Sequence, residues 1–146
     1  MTRQRDYLTP DFFEVPAPHT PIPGALDFGK VLRSLISDLL KASPLTRFEV
    51  AARMSELAGQ EITKHQLDSW TAESREAWRF PLEYLPALEV ALETHALTIW
   101  LADVRGARVS VGREALEAEL GKIARQKQEM AEREKRLKRM LGGRRA

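Results

Sequence analysis

Two capping-box tetrapeptides, Thr46-Arg47-Phe48-Glu49 and Thr63-Lys64-His65-Gln66, stand seventeen residues apart with Gly59 between them. In each, the Thr hydroxyl is spaced to accept the N–H three residues on, while the Glu or Gln side chain reaches back to the N–H of the Thr, so each marks a helix start. The first helix is expected to run through Val50, Ala51, Met54, Leu57 and Ala58 and to stop at Gly59, a residue suited to the left-handed end of a helix. The second opens at Thr63 and buries Leu67 and Trp70. Two short capped helices joined this closely are the pattern of a helix-turn-helix.

The flanking segments supply further helices. Phe28, Val31, Leu32, Leu35, Ile36, Leu39 and Leu40 recur at helical spacing, with Asp27 as a candidate N-cap and Ser43-Pro44 as the stop. After a loop holding Trp78 and Phe80, Pro81 sits where a first helical turn accepts proline, and Leu82, Leu85, Leu88, Ala91 and Leu92 form the next apolar stripe, with Pro86 in the first turn or so. A fifth helix is predicted over about Leu97–Val104, packing Leu97, Trp100, Leu101 and Val104 before Gly106 breaks it. Val109 and Val111 alternate as a short strand would. Trp70, Trp78 and Trp100 sit at apolar positions of their segments and read as core or loop anchors rather than base-stacking platforms.

From Arg113 to Leu141 there is no proline, and Gly121 alone interrupts good helix formers, so a helix of about 29 residues and roughly 43 Å is expected. Leu116, Leu120, Ile123, Met130, Leu137 and Leu141 follow alternating 4,3 spacing, while Lys127 and Glu134 occupy two a positions of that seam. The fold class expected is therefore all-α: a five-helix domain over 27–108 and a C-terminal coiled-coil helix over 113–141. A flexible basic tail over 142–146 follows, and a Pro-rich extended arm over 1–26 precedes. The arm holds five of the eight prolines and is predicted to lack fixed structure; Phe12, Phe13, Val15 and Ile22 are its means of docking onto a partner or onto its own domain.

Charge is unevenly distributed. Residues 28–112 hold ten basic and eleven acidic side chains, whereas residues 113–146 hold eleven basic and six acidic, so the basic surplus lies in the terminal helix and not in the capped pair. There is no cysteine, hence no disulfide framework and no thiolate zinc site, in keeping with a reducing compartment; the cytoplasm is the expected location. Met1–Thr9 lacks the apolar core of a signal peptide, and no window approaches the roughly 20 apolar residues that span a bilayer, so neither export nor a membrane partner is expected.

Catalysis needs converging groups, and His19, His65 and His95 fall in three separate segments with no ligand pair at helical spacing. No phosphate loop, nucleophile elbow or His-Glu-x-x-His occurs, so no enzyme activity, metal site or cofactor is expected. Binding has positive support. With Leu67 and Trp70 facing the core, Lys64, His65, Gln66, Ser69 and further along Thr71 and Ser74 are expected on the open side of the second capped helix. Gln66 has the chemistry to pair bidentately with adenine, Lys64 to meet guanine or a phosphate, and Thr46 and Arg47 lie at a helix start suited to the DNA backbone, while Thr63 opens the second helix as a further DNA-binding candidate.

The order Thr46–Met54, Thr63–Trp70, Pro81–Leu92, Leu97–Gly106 resembles the five-helix lambda-repressor-like DNA-binding domain, over about residues 28–108. The run Phe80-Pro81-Leu82-Glu83-Tyr84-Leu85-Pro86-Ala87-Leu88, followed by Trp100-Leu101-Ala102, is similar to phage regulatory proteins of the CII type, and the chain as a whole resembles an early-region regulator of Mu-like transposable phages. Val50, Ala51 and Met54 match the family's turn, but the glycine comes late, at Gly59, after an extra turn Ser55–Ala58. The resemblance implies base reading by Thr63–Thr71, carried onto Lys64, His65, Gln66 and Ser69. The function expected is a sequence-specific transcriptional regulator that binds double-stranded DNA as a homodimer or higher homo-oligomer through the terminal helix. The alternative is a protein-interaction adaptor whose coiled coil and arm hold a replication or transposition protein.

Overall fold

The structure, a computed structural model, describes residues 15–143, and these residues are all-α. The helices are α1 (Gly29–Ala42), α2 (Arg47–Ala58), α3 (Lys64–Thr71), α4 (Leu85–Ala91), α5 (Ala96–Val104) and α6 (Arg113–Gly142), with one 3-10 turn at Leu82–Tyr84. Phe12 and Phe13 of the arm and Arg144 and Arg145 of the tail lie outside the described residues. The chain divides into two units, Met1–Arg108 and Val109–Ala146.

The core of the first unit is assembled from one stripe of each helix: Ile36 and Leu40 of α1, Val50, Ala51 and Met54 of α2, Leu67 and Trp70 of α3, Ala87, Leu88 and Ala91 of α4, and Leu97 of α5. The i, i+3, i+4 spacing of these residues puts them on single faces, and a buried Leu or Met among them is worth about 2–5 kcal/mol on truncation to Ala. Both capping boxes form. Thr46 Oγ1 accepts from Glu49 N at 3.2 Å while Glu49 Oε2 accepts from Thr46 N at 2.6 Å. Thr63 Oγ1 accepts from Gln66 N at 3.2 Å while Gln66 Oε1 accepts from Thr63 N at 2.9 Å. Gly59 ends α2 at φ 66°, as its lack of a Cβ permits.

The extra turn before Gly59 has a mechanical role. Ser55 Oγ accepts from Ile62 N at 2.8 Å and lies 2.8 Å from Ala51 O and 3.0 Å from Ile62 O, so one hydroxyl joins α2 to the residue that leads into α3. Ile62 itself is buried beside it. The angle between the two capped helices is thereby held by a side chain as well as by the glycine.

Several expectations are corrected. The helix expected from Pro81 is split, because Pro86 has no N–H to donate to Leu82 O; Leu85 N takes that carbonyl instead and closes the 3-10 turn, and α4 starts behind it. Asp27 acts one residue early: its carboxylate accepts from Gly29 N at 3.2 Å, and Phe28 holds the cap position. Val109–Val111 forms no strand, and the isolated bridge among the described residues pairs Pro18 with Arg105 instead. Trp78 is exposed rather than an anchor, and Leu101 of α5 is exposed as well. Trp100 is half-buried with its ring edge-on to Phe28, which meets His19 in turn.

The described part of the arm lies on its own unit. His19 N donates to Val104 O at 3.1 Å, and Gly106, at φ +70°, lies so close to the arm that a Cβ there would stand 2.5 Å from Pro18 N. The contact uses Pro18 and His19, whereas Val15 and Ile22 are exposed. Glu89 is buried in α4, and its carboxylate accepts from Thr98 N at 2.9 Å and Thr98 Oγ1 at 2.6 Å, so it caps the first turn of α5 from the neighbouring helix.

In the second unit α6 has 30 residues, which spans about 45 Å. None of its residues is buried. It is supported by exposed pairs within the helix, Arg113–Glu117, Lys122–Glu119 and Lys138–Glu134, each worth a few tenths of a kcal/mol. Among the described residues no helix is long and apolar enough to cross a membrane.

Candidate nucleic-acid interface

The starts of α2 and α3 are brought together by one carboxylate. Asp68, one turn into α3, accepts from Lys64 Nζ at 2.6 Å and from Arg47 Nη1 at 2.9 Å. Arg47 Nη1 also donates to Thr71 Oγ1 at 2.9 Å, and Lys64 Nζ sits 5.4 Å from the ring centre of Phe48. Partial burial pushes the Asp68 carboxyl up, but the hydrogen bonds and charges of Lys64 and Arg47 outweigh it and hold the group below the usual carboxylate range. Lys64 is the first residue of α3, at the positive end of its helix dipole, where a cation is unfavourable; Asp68 four residues on offsets that cost.

The expected site residues separate into three groups. Lys64, half-buried, and His65, exposed, lie at the open start of α3, with Arg47 beside them. Thr46, Thr63 and Gln66 are engaged in the capping boxes; the Gln66 amide oxygen, expected to meet adenine, holds Thr63 N instead. Ser69 is a correction. It is 1% exposed and its hydroxyl accepts from Arg75 Nη1 at 2.8 Å, because the eight residues of α3 pack against both α1 and α2 and turn this side inward. Thr71 is buried too and donates to Leu67 O at 2.9 Å, so the open side is the first turn of α3 and not its whole length.

Two residues escaped the sequence reading. Asp68 had a visible signal, the i, i+4 spacing to Lys64, but its bond to Arg47 crosses 21 positions. Phe48 is 69% exposed at the first turn of α2, off the Val50, Ala51, Met54 face that is buried. An aromatic out of register with its own helix was the available sign. The resulting patch is one exposed aromatic ring, two cations and one anion, with the His65 imidazole beside it.

Comparison with protein families, with curated proteins and with solved structures finds no match for this chain.

Proposed function

We propose that the protein is a sequence-specific DNA-binding regulator acting as a dimer or higher oligomer, in which α2, the 59–63 turn and α3 work as a helix-turn-helix of the lambda-repressor-like kind. One observation carries this reading: α3 is fixed by Leu67 and Trp70 in the core while its Lys64-His65 end projects from the surface beside the start of α2. A helix held this way offers its N-terminal side chains to the major groove while the preceding helix start meets the backbone. His65 is then a base-edge candidate, Lys64 meets guanine or a phosphate, Arg47 and Phe48 are the contacts to phosphate and sugar, and Gln66 supports the helix from within its cap.

The test is selection from randomised duplex DNA by the full-length protein at about 150 mM salt, where the Debye length is about 8 Å. Enrichment of a motif that is lost in Lys64→Ala with His65→Ala, at unchanged oligomer mass, supports the reading; absence of any enriched motif from the folded protein overturns it. A protein-interaction adaptor is the second reading. It is favoured by the near balance of charge over residues 28–112 and by the pairing of both Lys64 and Arg47 with Asp68, which leaves the cluster one net positive charge. That reading expects no specific DNA motif and a partner interface sensitive to Phe48→Ala.

A further inference from the structure

The apolar seam of α6 is exposed along the length of the helix, and no residue of the helix is buried. Leu116, Leu120, Ile123, Met130, Leu137 and Leu141 are between 41% and 77% exposed, all on the 4,3 spacing that lines one side of a helix. We propose that α6 of a second copy covers this seam and runs antiparallel to it, in the register that sets Leu116 against Leu141 of the second copy and Leu120 against Leu137 of the second copy. The inference rests on the reading of the protein as one that acts in pairs, and adds the direction and register of the pairing.

Charge decides the direction. In a parallel, in-register pair each seam position faces its own copy, so Lys127 would face a second Lys127 and Glu134 a second Glu134. Arg133 and Lys138, which flank the seam at g and e, would also face each other across it, adding a third like-charge contact on each side. Reversing one helix sets a positions against d and each flank against the same flank. Matching the two leucine pairs at each end then fixes every other layer: Lys127 lies across from Met130, and Ile123 from Glu134. Glu117 lies next to Lys138, Gln126 next to Arg133, and Ala124 next to Ala131 close to the twofold axis.

No two like charges face each other in this register. The small Ala124 and Ala131 sit on the flank where the helices cross at the centre, and the aliphatic stem of Lys127 can cover Met130 while its ammonium reaches water. The wider charge pattern agrees. The first third of α6, residues 113–122, holds Glu114, Glu117 and Glu119 against Arg113 and Lys122, a net −1, and the last, residues 133–142, holds Arg133, Lys135, Arg136, Lys138 and Arg139 against Glu134, a net +4. Antiparallel pairing lays the acidic third on the basic third, whereas parallel pairing stacks the basic ends together. Within a single helix Glu117 is bonded to Arg113 and Lys138 to Glu134, but these exposed pairs are weak enough to be shared with a second copy.

The chain has no cysteine, so introduced thiols report without background. Leu120→Cys and Leu137→Cys, each in the full-length protein and one carrying a mass tag, are oxidised separately and after mixing, in the absence of DNA. A disulfide between the two variants with neither joining to itself is expected; self-joining of either variant shows a parallel pair and overturns the proposal. Sedimentation of the unmodified chain gives a second readout. Lys138→Glu is expected to raise the dimer dissociation constant roughly tenfold by turning two symmetric attractions into repulsions, and adding Glu117→Lys is expected to restore it. Tighter association of Lys138→Glu, failure of the double variant to recover, or a monomer at about 100 μM would each overturn the arrangement. Because no DNA is present, failure here is distinct from failure of the regulator reading, which rests on motif selection.

Discussion

Asp68→Asn tests whether α3 works against an anionic partner. The carboxylate accepts from Lys64 at 2.6 Å and Arg47 at 2.9 Å, so it withholds two cations from any phosphate nearby. Asparagine keeps the shape and removes the charge. Arg47 retains the Thr71 hydroxyl and Lys64 the Phe48 ring, and with Asp68 more than a third exposed the pairs contribute only about 0–1 kcal/mol to folding. The variant is therefore expected to fold. On DNA, each cation that gains a phosphate steepens the slope of log affinity against log salt by about 0.9, so the two together add up to about 1.8. Between about 50 and 200 mM salt that is roughly a tenfold larger loss of affinity than in the parent, with tighter binding at the low-salt end. Fluorescence anisotropy on a labelled duplex across this range measures it. An unchanged slope and affinity in a folded Asp68→Asn protein would refute the placement of Lys64 and Arg47 at a phosphate surface.

Three further predictions concern the supports of the site. Ser55→Ala leaves Ile62 N without its acceptor and is expected to cost about 1–3 kcal/mol in denaturant unfolding; a loss below about 0.3 kcal/mol would show that the 59–63 turn holds without the hydroxyl. Gly106→Ala puts a Cβ 2.5 Å from Pro18 N at a positive φ, so residues 17–20 should lift off and become cleavable in limited proteolysis at unchanged helix content; unaltered cleavage would refute the docking of the arm. The Glu49 carboxyl is held low by its bond from Thr46 N and then by the Thr46 hydroxyl, so its contribution is full above the ordinary carboxylate value and lost as pH falls through the lowered one. The difference in melting temperature between parent and Glu49→Gln should thus be largest near neutral pH and close in acid, and a difference independent of pH would contradict this.

The starts of α2 and α3 are legible in the sequence because capping is local: four residues carry both the signal and the bonds that realise it. The inward stripes are legible for the same reason, through periodicity. What escaped was set by packing at a distance. Ser69 looks like an open-side residue on a helical wheel, yet α3 is short enough for Arg75 and two helices to enclose it. Asp68 and Arg47 meet only once the turn has folded α3 across the start of α2. Pro86 was visible, but its effect, a 3-10 turn before α4, depends on which carbonyl it leaves unmatched. Val109 and Val111 alternated as a strand does, and alternation without a partner strand makes no ladder.

The charge balance connects the two units. A domain over residues 28–112 with ten basic and eleven acidic side chains has little electrostatic hold on a duplex, and one short helix end reaches few base edges. If the protein is the regulator proposed above, affinity at physiological salt must come from elsewhere, and α6 can supply it in two ways with different signatures. If α6 joins two copies, the second domain binds at an effective concentration near millimolar, gaining about 10²–10⁴ in avidity, and a chain ending at Gly112 loses that factor and sediments as a monomer. If the Lys135–Arg139 end instead lies on phosphates, changing those basic residues to Gln lowers the salt slope by about 0.9 per lost contact and leaves the mass unchanged. The antiparallel pairing proposed above would favour the first, because it would lay that basic end against Glu114, Glu117 and Glu119 of the second copy and so leave less of its charge for DNA.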